Sequence, residues 1–141
     1  MRIAYTWGMS AHEETQRAVA RWHEIVNAAD LDAAREAVSD PIVVNGPKGA
    51  GPVSPAEFAE WITRSGIHLS PRSYHPVSEH VLVVEQDARW PQDGAATRVA
   101  TVFRAHGGRV SAALRFPTLA EALEFAFLYR ELAVTEPGTA A

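Results

Sequence analysis

The sequence predicts an α+β fold in which a curved, mostly antiparallel sheet carries helices. Three observations predict it. Residues 11–66 hold three segments with helical apolar spacing around one short apolar run. Residues 72–116 hold four strand-like runs separated by glycine-containing turns. Thr118 and Glu121 then form a capping box that opens a last helix. Elements in that order bury the apolar side of a sheet under helices. Another α+β roll with the same order is the generic alternative.

The first helix is expected over residues 11–29, where Ala18, Val19, Trp22, Ile25, Val26 and Ala29 fall on one stripe. Asp30 ends it and can cap a second helix over 31–39, with Leu31, Ala34, Ala37 and Val38 facing inward. Pro41 stops this helix, because the residue before a proline is pushed out of the helical region. Ile42, Val43 and Val44 read as a strand. Residues 45–52 hold three glycines and two prolines and read as a loop. Ser54 caps a third helix, with Pro55 at its first position and Glu57 three residues after the cap. Phe58, Trp61 and Ile62 face inward, and Gly66 ends the helix.

The strand runs are 72–78, 81–90, 97–105 and 109–116. Asp93-Gly94 and Gly107-Gly108 are the turns that accept positive φ. The last helix runs to about residue 133, with Leu119, Ala122, Leu123, Ala126 and Tyr129 toward the sheet. One domain is expected over 11–134, with a loose tail at 1–10 and a fraying tail at 135–141. Met9 is an alternative start to Met1.

Composition narrows the function classes. A chain of 141 residues that is 47% apolar and 21% charged can bury a real core. A net charge of −4 without basic clusters argues against nucleic acid as a partner. No run approaches the ~20 apolar residues that cross a bilayer, and MRIAYTWGMS lacks a basic start followed by an apolar block. A cytoplasmic protein with no membrane partner is therefore expected. The chain has no cysteine, so disulfides and thiolate chemistry are excluded. No His-Glu-x-x-His spacing, phosphate loop or Gly-x-Ser-x-Gly elbow occurs, so no metal and no cofactor are expected.

Residues 20–49, ARWHEIVNAADLDAAREAVSDPIVVNGPKG, run from helix through a break at Asp30, a short helix and a stop at Asp40-Pro41 to a strand ending in Asn45-Gly46-Pro47. This succession resembles the opening of the nuclear transport factor 2-like superfamily, with its SnoaL-like and ketosteroid isomerase-like members and the limonene-type epoxide hydrolases. The resemblance implies a cone-shaped barrel around a small-molecule pocket. It also implies site positions. The isomerase tyrosine falls at Trp22, its proton-moving aspartate at Asn45 and its oxyanion aspartic acid at Thr101. Asparagine cannot titrate, so it cannot serve as that base. The epoxide hydrolase asparagine matches Asn45. Its tyrosine falls at Val43, its arginine and first aspartate at Gln86 and Ala88, and its second aspartate near Arg115.

Alternate strand residues share a face. If Thr101 faces the pocket, so does Phe103; if Gln86 does, so do Ala88 and Trp90. On the last strand, bare alternation would turn Val110, Ala112, Leu114 and Phe116 inward, whereas the resemblance turns Ser111, Ala113 and Arg115 inward. The small Ser111 and Ala113 favour the latter. The apolar row left outside would then need a cover, so a homodimer through the outer sheet face is expected. The expected pocket is lined by Trp22, Trp61, Tyr74, Gln86, Trp90, Thr101, Phe103 and Ala113, and none of the other lining positions beside Arg115 is acidic.

Three candidates carry chemistry. Arg115 in an apolar cavity asks for an anionic ligand, because an unpaired buried charge costs several kcal/mol; alternatively it reaches water and pairs with Glu121 or a carboxylate of the first helix. Asn45 orients a substrate oxygen or bonds its own turn. His75 is the candidate base, since imidazole titrates near neutrality and either Tyr74 or His75 must face the cavity; the alternative is a strand histidine with no catalytic task. The tryptophans stack a flat, aromatic ligand or simply fill the core. His23 lies outside the apolar stripe and is expected at the surface. Two functions remain open: a cofactor-free isomerase, dehydratase or cyclase in which Asn45, Thr101 and Arg115 stabilise an oxyanion, and a non-catalytic dimeric ligand-binding or scaffold protein.

Overall fold

The computed structural model describes residues 9–46 and 49–135. The proposed start at Met1, most of the N-terminal tail, Pro47 and Lys48 of the loop, and most of the C-terminal tail lie outside them. Four helices and six strands follow one another as α1 (Ala11–Ala28), α2 (Leu31–Ala37), β1 (Val38–Gly46), β2 (Gly49–Val53), α3 (Pro55–Ser65), β3 (His68–Pro76), β4 (Val81–Arg89), β5 (Thr97–His106), β6 (Arg109–Phe116) and α4 (Leu119–Thr135). The expected α+β class holds.

The local causes are legible. Ser10 and Glu13 form a reciprocal capping box on α1, and Ser54 and Glu57 form another on α3. Asp30 caps α2 through the Ala33 amide at 3.2 Å. Gly66 ends α3 at φ 61°, and a Cβ there would stand 2.8 Å from Cγ of Pro91, so conformation and space both require glycine.

The sheet order is β2-β1-β6-β5-β4-β3, antiparallel throughout except for the β1–β6 pair. Of the stretch expected as a loop, Asn45 and Gly46 end β1 and Gly49, Ala50, Gly51 and Pro52 belong to β2, with Asn45 opposite Ala50. Pro52 is tolerated because β2 is an edge strand, where a missing N–H breaks no ladder. The other edge, β3, carries Pro71 and Pro76 for the same reason, and it begins four residues earlier than expected.

Two apolar layers sandwich the sheet. The inner one joins α1, α2 and α3 to one face through Val19, Trp22, Val26, Ala34, Phe58, Ile62, Leu82, Val84 and Phe103. The outer one joins Val81, Val83, Ala100, Val102 and Leu114 to Ala122 and Ala126 of α4. The outer row that was expected to await a second subunit is therefore covered in part by α4. Beyond α4 the outer face turns polar, with Asp87 bridging Arg98 at 2.6 Å and Arg72 at 3.3 Å. Arg98 holds the Asp87 carboxyl below its ordinary pKa, chiefly through that hydrogen bond.

Two bulges set which side chains reach the inner face. In β3, Pro71 pairs with Gln86 but Ser73 pairs with Glu85, so Arg72 is an extra residue. In β6, Val110 pairs with Ala105 but Ala112 pairs with Arg104, so Ser111 is extra. Each insertion reverses the parity of the residues that follow.

Candidate ligand cavity

A cavity of about 240 Å³ opens between α1, α3 and the β2-β1-β6-β5 side of the sheet. Its wall includes Trp22, Phe58, Trp61, Asn45, Thr101, Ala113 and Arg115, with Glu57, Glu60 and Arg64 of α3 at the rim. At roughly 30 Å³ per liquid water, this is the space of about eight waters. It falls below the ~300 Å³ lower end for drug-sized ligands.

The β6 bulge brings Arg115 here. Val110 stays inward as bare alternation predicts, the parity then flips, and Ala113 and Arg115 lie opposite Phe103 and Thr101 on the inner face. Ser111 does not face the cavity; its hydroxyl accepts from Nε of Arg104 at 2.8 Å on the outer side, beside Tyr129 of α4. The Arg115 guanidinium lies 5.9 Å from the Trp61 ring centre and 5.5 Å from that of Trp90. Such a cation–π pair contributes about 0.5–2 kcal/mol, more as water is excluded. Burial lowers the Arg115 pKa from its ordinary value. Among the described residues no carboxylate stands within ion-pairing distance, so the pairing with Glu121 or an α1 carboxylate is not made.

Asn45 is committed to the backbone. Its Nδ2 donates to the Arg115 carbonyl and its Oδ1 accepts from the Arg115 amide, both at 2.8 Å. The amide thus continues the β1–β6 ladder beyond Val44 and Ala113 and fixes the root of Arg115. It touches the cavity as a clamp, not as a free polar group. Asn27 does the same between α1 and Leu69.

The β3 bulge removes His75. Its partner is Val83, which belongs to the outer layer, and its Nε2 lies 2.8 Å from Oγ of Ser73. The candidate base is thus on the far side of the sheet from the cavity. Tyr74 takes the inner parity, opposite Val84, but on the β3 edge it is 48% exposed and does not line the cavity. Phe103 and Gln86 are inward but sealed behind the wall, and Trp90 reaches the site through Arg115. The expectation of no acidic lining fails at Glu57 and Glu60, because strand parity says nothing about a helix at the rim. The Glu57 carboxylate accepts from the Ser54 amide at 2.9 Å, which holds its pKa down.

The buried polar residue missed in the sequence is His23. It is 3% exposed, against an expectation of surface placement. Val19, Trp22, His23 and Val26 follow the i, i+3, i+4, i+7 pattern, a signal that places His23 on the stripe. Its Nδ1–H donates to the Val19 carbonyl at 2.8 Å, its Nε2 lies 2.8 Å from Nε2 of Gln86, and Gln86 Oε1 accepts from the Thr101 hydroxyl at 2.7 Å. Burial lowers the His23 pKa. The order Thr101, Gln86, His23 superficially suggests a relay, but a neutral amide cannot pass a proton. Beside it, Trp22 leaves its Nε1–H buried without a partner among the described residues. Trp22 also packs edge-on against Phe103 at 4.9 Å and stacks on Phe58 at 6.1 Å, so it both fills the core and lines the cavity.

The fold of this chain is similar to that of known structures. An LEH-like epoxide hydrolase from M. tuberculosis matches with a TM-score of 0.67 at 16% identity, covering 94% of this chain and 97% of that one. The epoxide hydrolase/cyclase-like enzyme SalBIII of salinomycin pyran-ring formation matches with a TM-score of 0.63 at 18% identity, over 79% and 96%. A nuclear transport factor 2-like protein of unknown function from Cytophaga hutchinsonii matches with a TM-score of 0.63 at 12% identity, over 72% and 88%. The fold is similar to that of nuclear transport factor 2-like proteins. At these identities the likeness of the cone fold carries no activity across. No protein-family model and no curated protein matches the chain. Within the cone fold, this chain brings Trp22, Trp61, Asn45, Thr101, Ala113 and Arg115 together and leaves Tyr74 and His75 elsewhere.

Proposed function

We propose that this chain binds a small, ring-bearing organic anion in the cavity, without acid–base catalysis. The observation that carries the reading is Arg115. It stands in the cavity wall between two indole rings and has no carboxylate partner among the described residues. A desolvated guanidinium in that state gains most from a ligand carboxylate or enolate, because a charge-assisted bond contributes about 1.5–3 kcal/mol. Phe58, Trp61, Val44, Val53 and Ala113 supply apolar walls for a ring.

The non-catalytic reading is favoured over an isomerase, dehydratase or cyclase by two particulars. Asn45 uses its amide on the Arg115 backbone, and His75 lies across the sheet. The known fold relatives include enzymes, yet their chemistry is not carried by these side chains. A homodimer belongs to the same reading in a modified form. Phe127, Leu128 and Leu132 of α4 remain exposed, so α4 with the sheet margin beside it offers the contact rather than the bare sheet.

The test is isothermal titration with 4-methylbenzoate and, as the uncharged comparison, 4-methylphenol. Wild type should bind the carboxylate, and Arg115→Met should weaken it at least about tenfold while leaving the phenol unchanged. Equal carboxylate affinity in both proteins would overturn the proposal.

A further inference from the structure

Resting on that reading, we infer that the floor of the cavity recognises a ligand hydroxyl, which donates to Oγ1 of Thr101. The argument follows the direction of the buried hydrogen bonds. The Val19 carbonyl can only accept, so the hydrogen of the His23 ring sits on Nδ1. The bare Nε2 of neutral imidazole must then accept, and it faces the Gln86 amide nitrogen. This fixes which way the Gln86 amide points, with Oε1 turned to Thr101. The Thr101 hydrogen is spent on that oxygen. Of the three side chains, Thr101 alone lines the cavity, and what its hydroxyl has left to offer is lone pairs.

A ligand that met this floor with an ether, a carbonyl or a carboxylate would set acceptor against acceptor. A methyl group would leave the lone pairs dry. A hydroxyl matches, because it donates and accepts at once. His23 and Gln86 are thus positioning residues, acting on the ligand through Thr101. Arg115 lies opposite Thr101 across the β5–β6 pair, its guanidinium carried outward between Trp61 and Trp90. The preferred guest is a compact ring with a hydroxyl at the deep end and an anion at the mouth.

The probes are 4-hydroxybenzoate, 4-methylbenzoate and 4-methylphenol, titrated into wild type, Thr101→Val and Gln86→Leu. In wild type the hydroxyl acid should bind about fivefold tighter than the methyl acid, against the ordinary preference of an apolar site for the methyl group. Thr101→Val should abolish that preference with 4-methylbenzoate affinity retained. Gln86→Leu frees the Thr101 hydrogen to donate, so 4-cyanobenzoate, whose nitrile can only accept, should gain on 4-methylbenzoate there and not in wild type; this second variant is a readout that loss of the threonine's packing would not move. Equal binding of the two acids to wild type, or an intact preference in Thr101→Val, overturns the inference while leaving the Arg115 reading in place. The converse is equally distinct: 4-methylphenol binding as tightly as 4-hydroxybenzoate, with sensitivity to Thr101→Val, keeps the hydroxyl site and removes the anion. Absence of binding by all three overturns both.

Discussion

Replacing His23 with leucine tests the buried chain from which the floor of the cavity takes its polarity. The ring is enclosed by Val19, Trp22, Phe103 and Gln86, and the contacts described around it are neutral. Leucine removes the acceptor of the Gln86 amide. Gln86 is fully buried, so its Nε2–H is left unsatisfied, at a cost of about 1–3 kcal/mol. The pH dependence gives an independent sign. Burial depresses the folded-state pKa of His23, so the unfolded chain binds a proton that the folded one refuses. The stability that neutral His23 contributes is therefore complete above the unfolded histidine pKa of about 6.5. It is lost as pH falls from there toward the folded pKa, at no more than about 1.4 kcal/mol per pH unit. Urea unfolding at pH 7.5 and at pH 5.5 should find His23→Leu less stable at the higher pH and the gap to wild type narrower at the lower. An unchanged unfolding free energy at pH 7.5, or an equal gap at both, would refute the assignment of His23 as a buried neutral acceptor.

Asn45→Asp restores the residue type that the isomerase resemblance implies, yet the carboxylate cannot donate to the Arg115 carbonyl. The variant should lose about 1–3 kcal/mol in chemical denaturation and show no isomerase activity on a steroid enone; wild-type stability would contradict the clamp. His75→Ala should leave 4-hydroxybenzoate affinity unchanged within error by calorimetry, because the ring lies on the outer face; a marked loss would return His75 to the site. Leu128→Asp with Leu132→Asp should shift a wild-type dimer to monomer in sedimentation velocity; a monomeric wild type, or a dimer that survives both substitutions, removes α4 as the contact.

The fold was legible because its signals are local. Caps at Ser54 and Thr118 and the turn at Gly107-Gly108 each act within a few residues, and the structure follows them; Pro41, read as the stop of a helix reaching residue 39, instead lies inside β1 while α2 ends at Ala37, and Gly94 does not take the positive φ expected of it. The site was less so, because two single-residue bulges decide it. Nothing in alternation announces that Arg72 and Ser111 are extra, and yet one sends His75 out while the other brings Arg115 in. The resemblance supplied the second correction and not the first. His23 was misread because its polarity outweighed its position among Val19, Trp22 and Val26. The roles of Asn45 and Asn27 depend on backbone groups 70 and 42 residues away, a distance over which local pattern carries no information.

The account stands on a cavity that holds an anion at Arg115 and a hydroxyl at Thr101. A crystal structure of the protein grown with 4-hydroxybenzoate tests it most directly. The carboxylate should lie against the Arg115 guanidinium between Trp61 and Trp90, with the phenolic oxygen within hydrogen-bond reach of Thr101 Oγ1. A ring bound with its carboxylate away from Arg115, or a cavity left empty at saturating ligand, would contradict it.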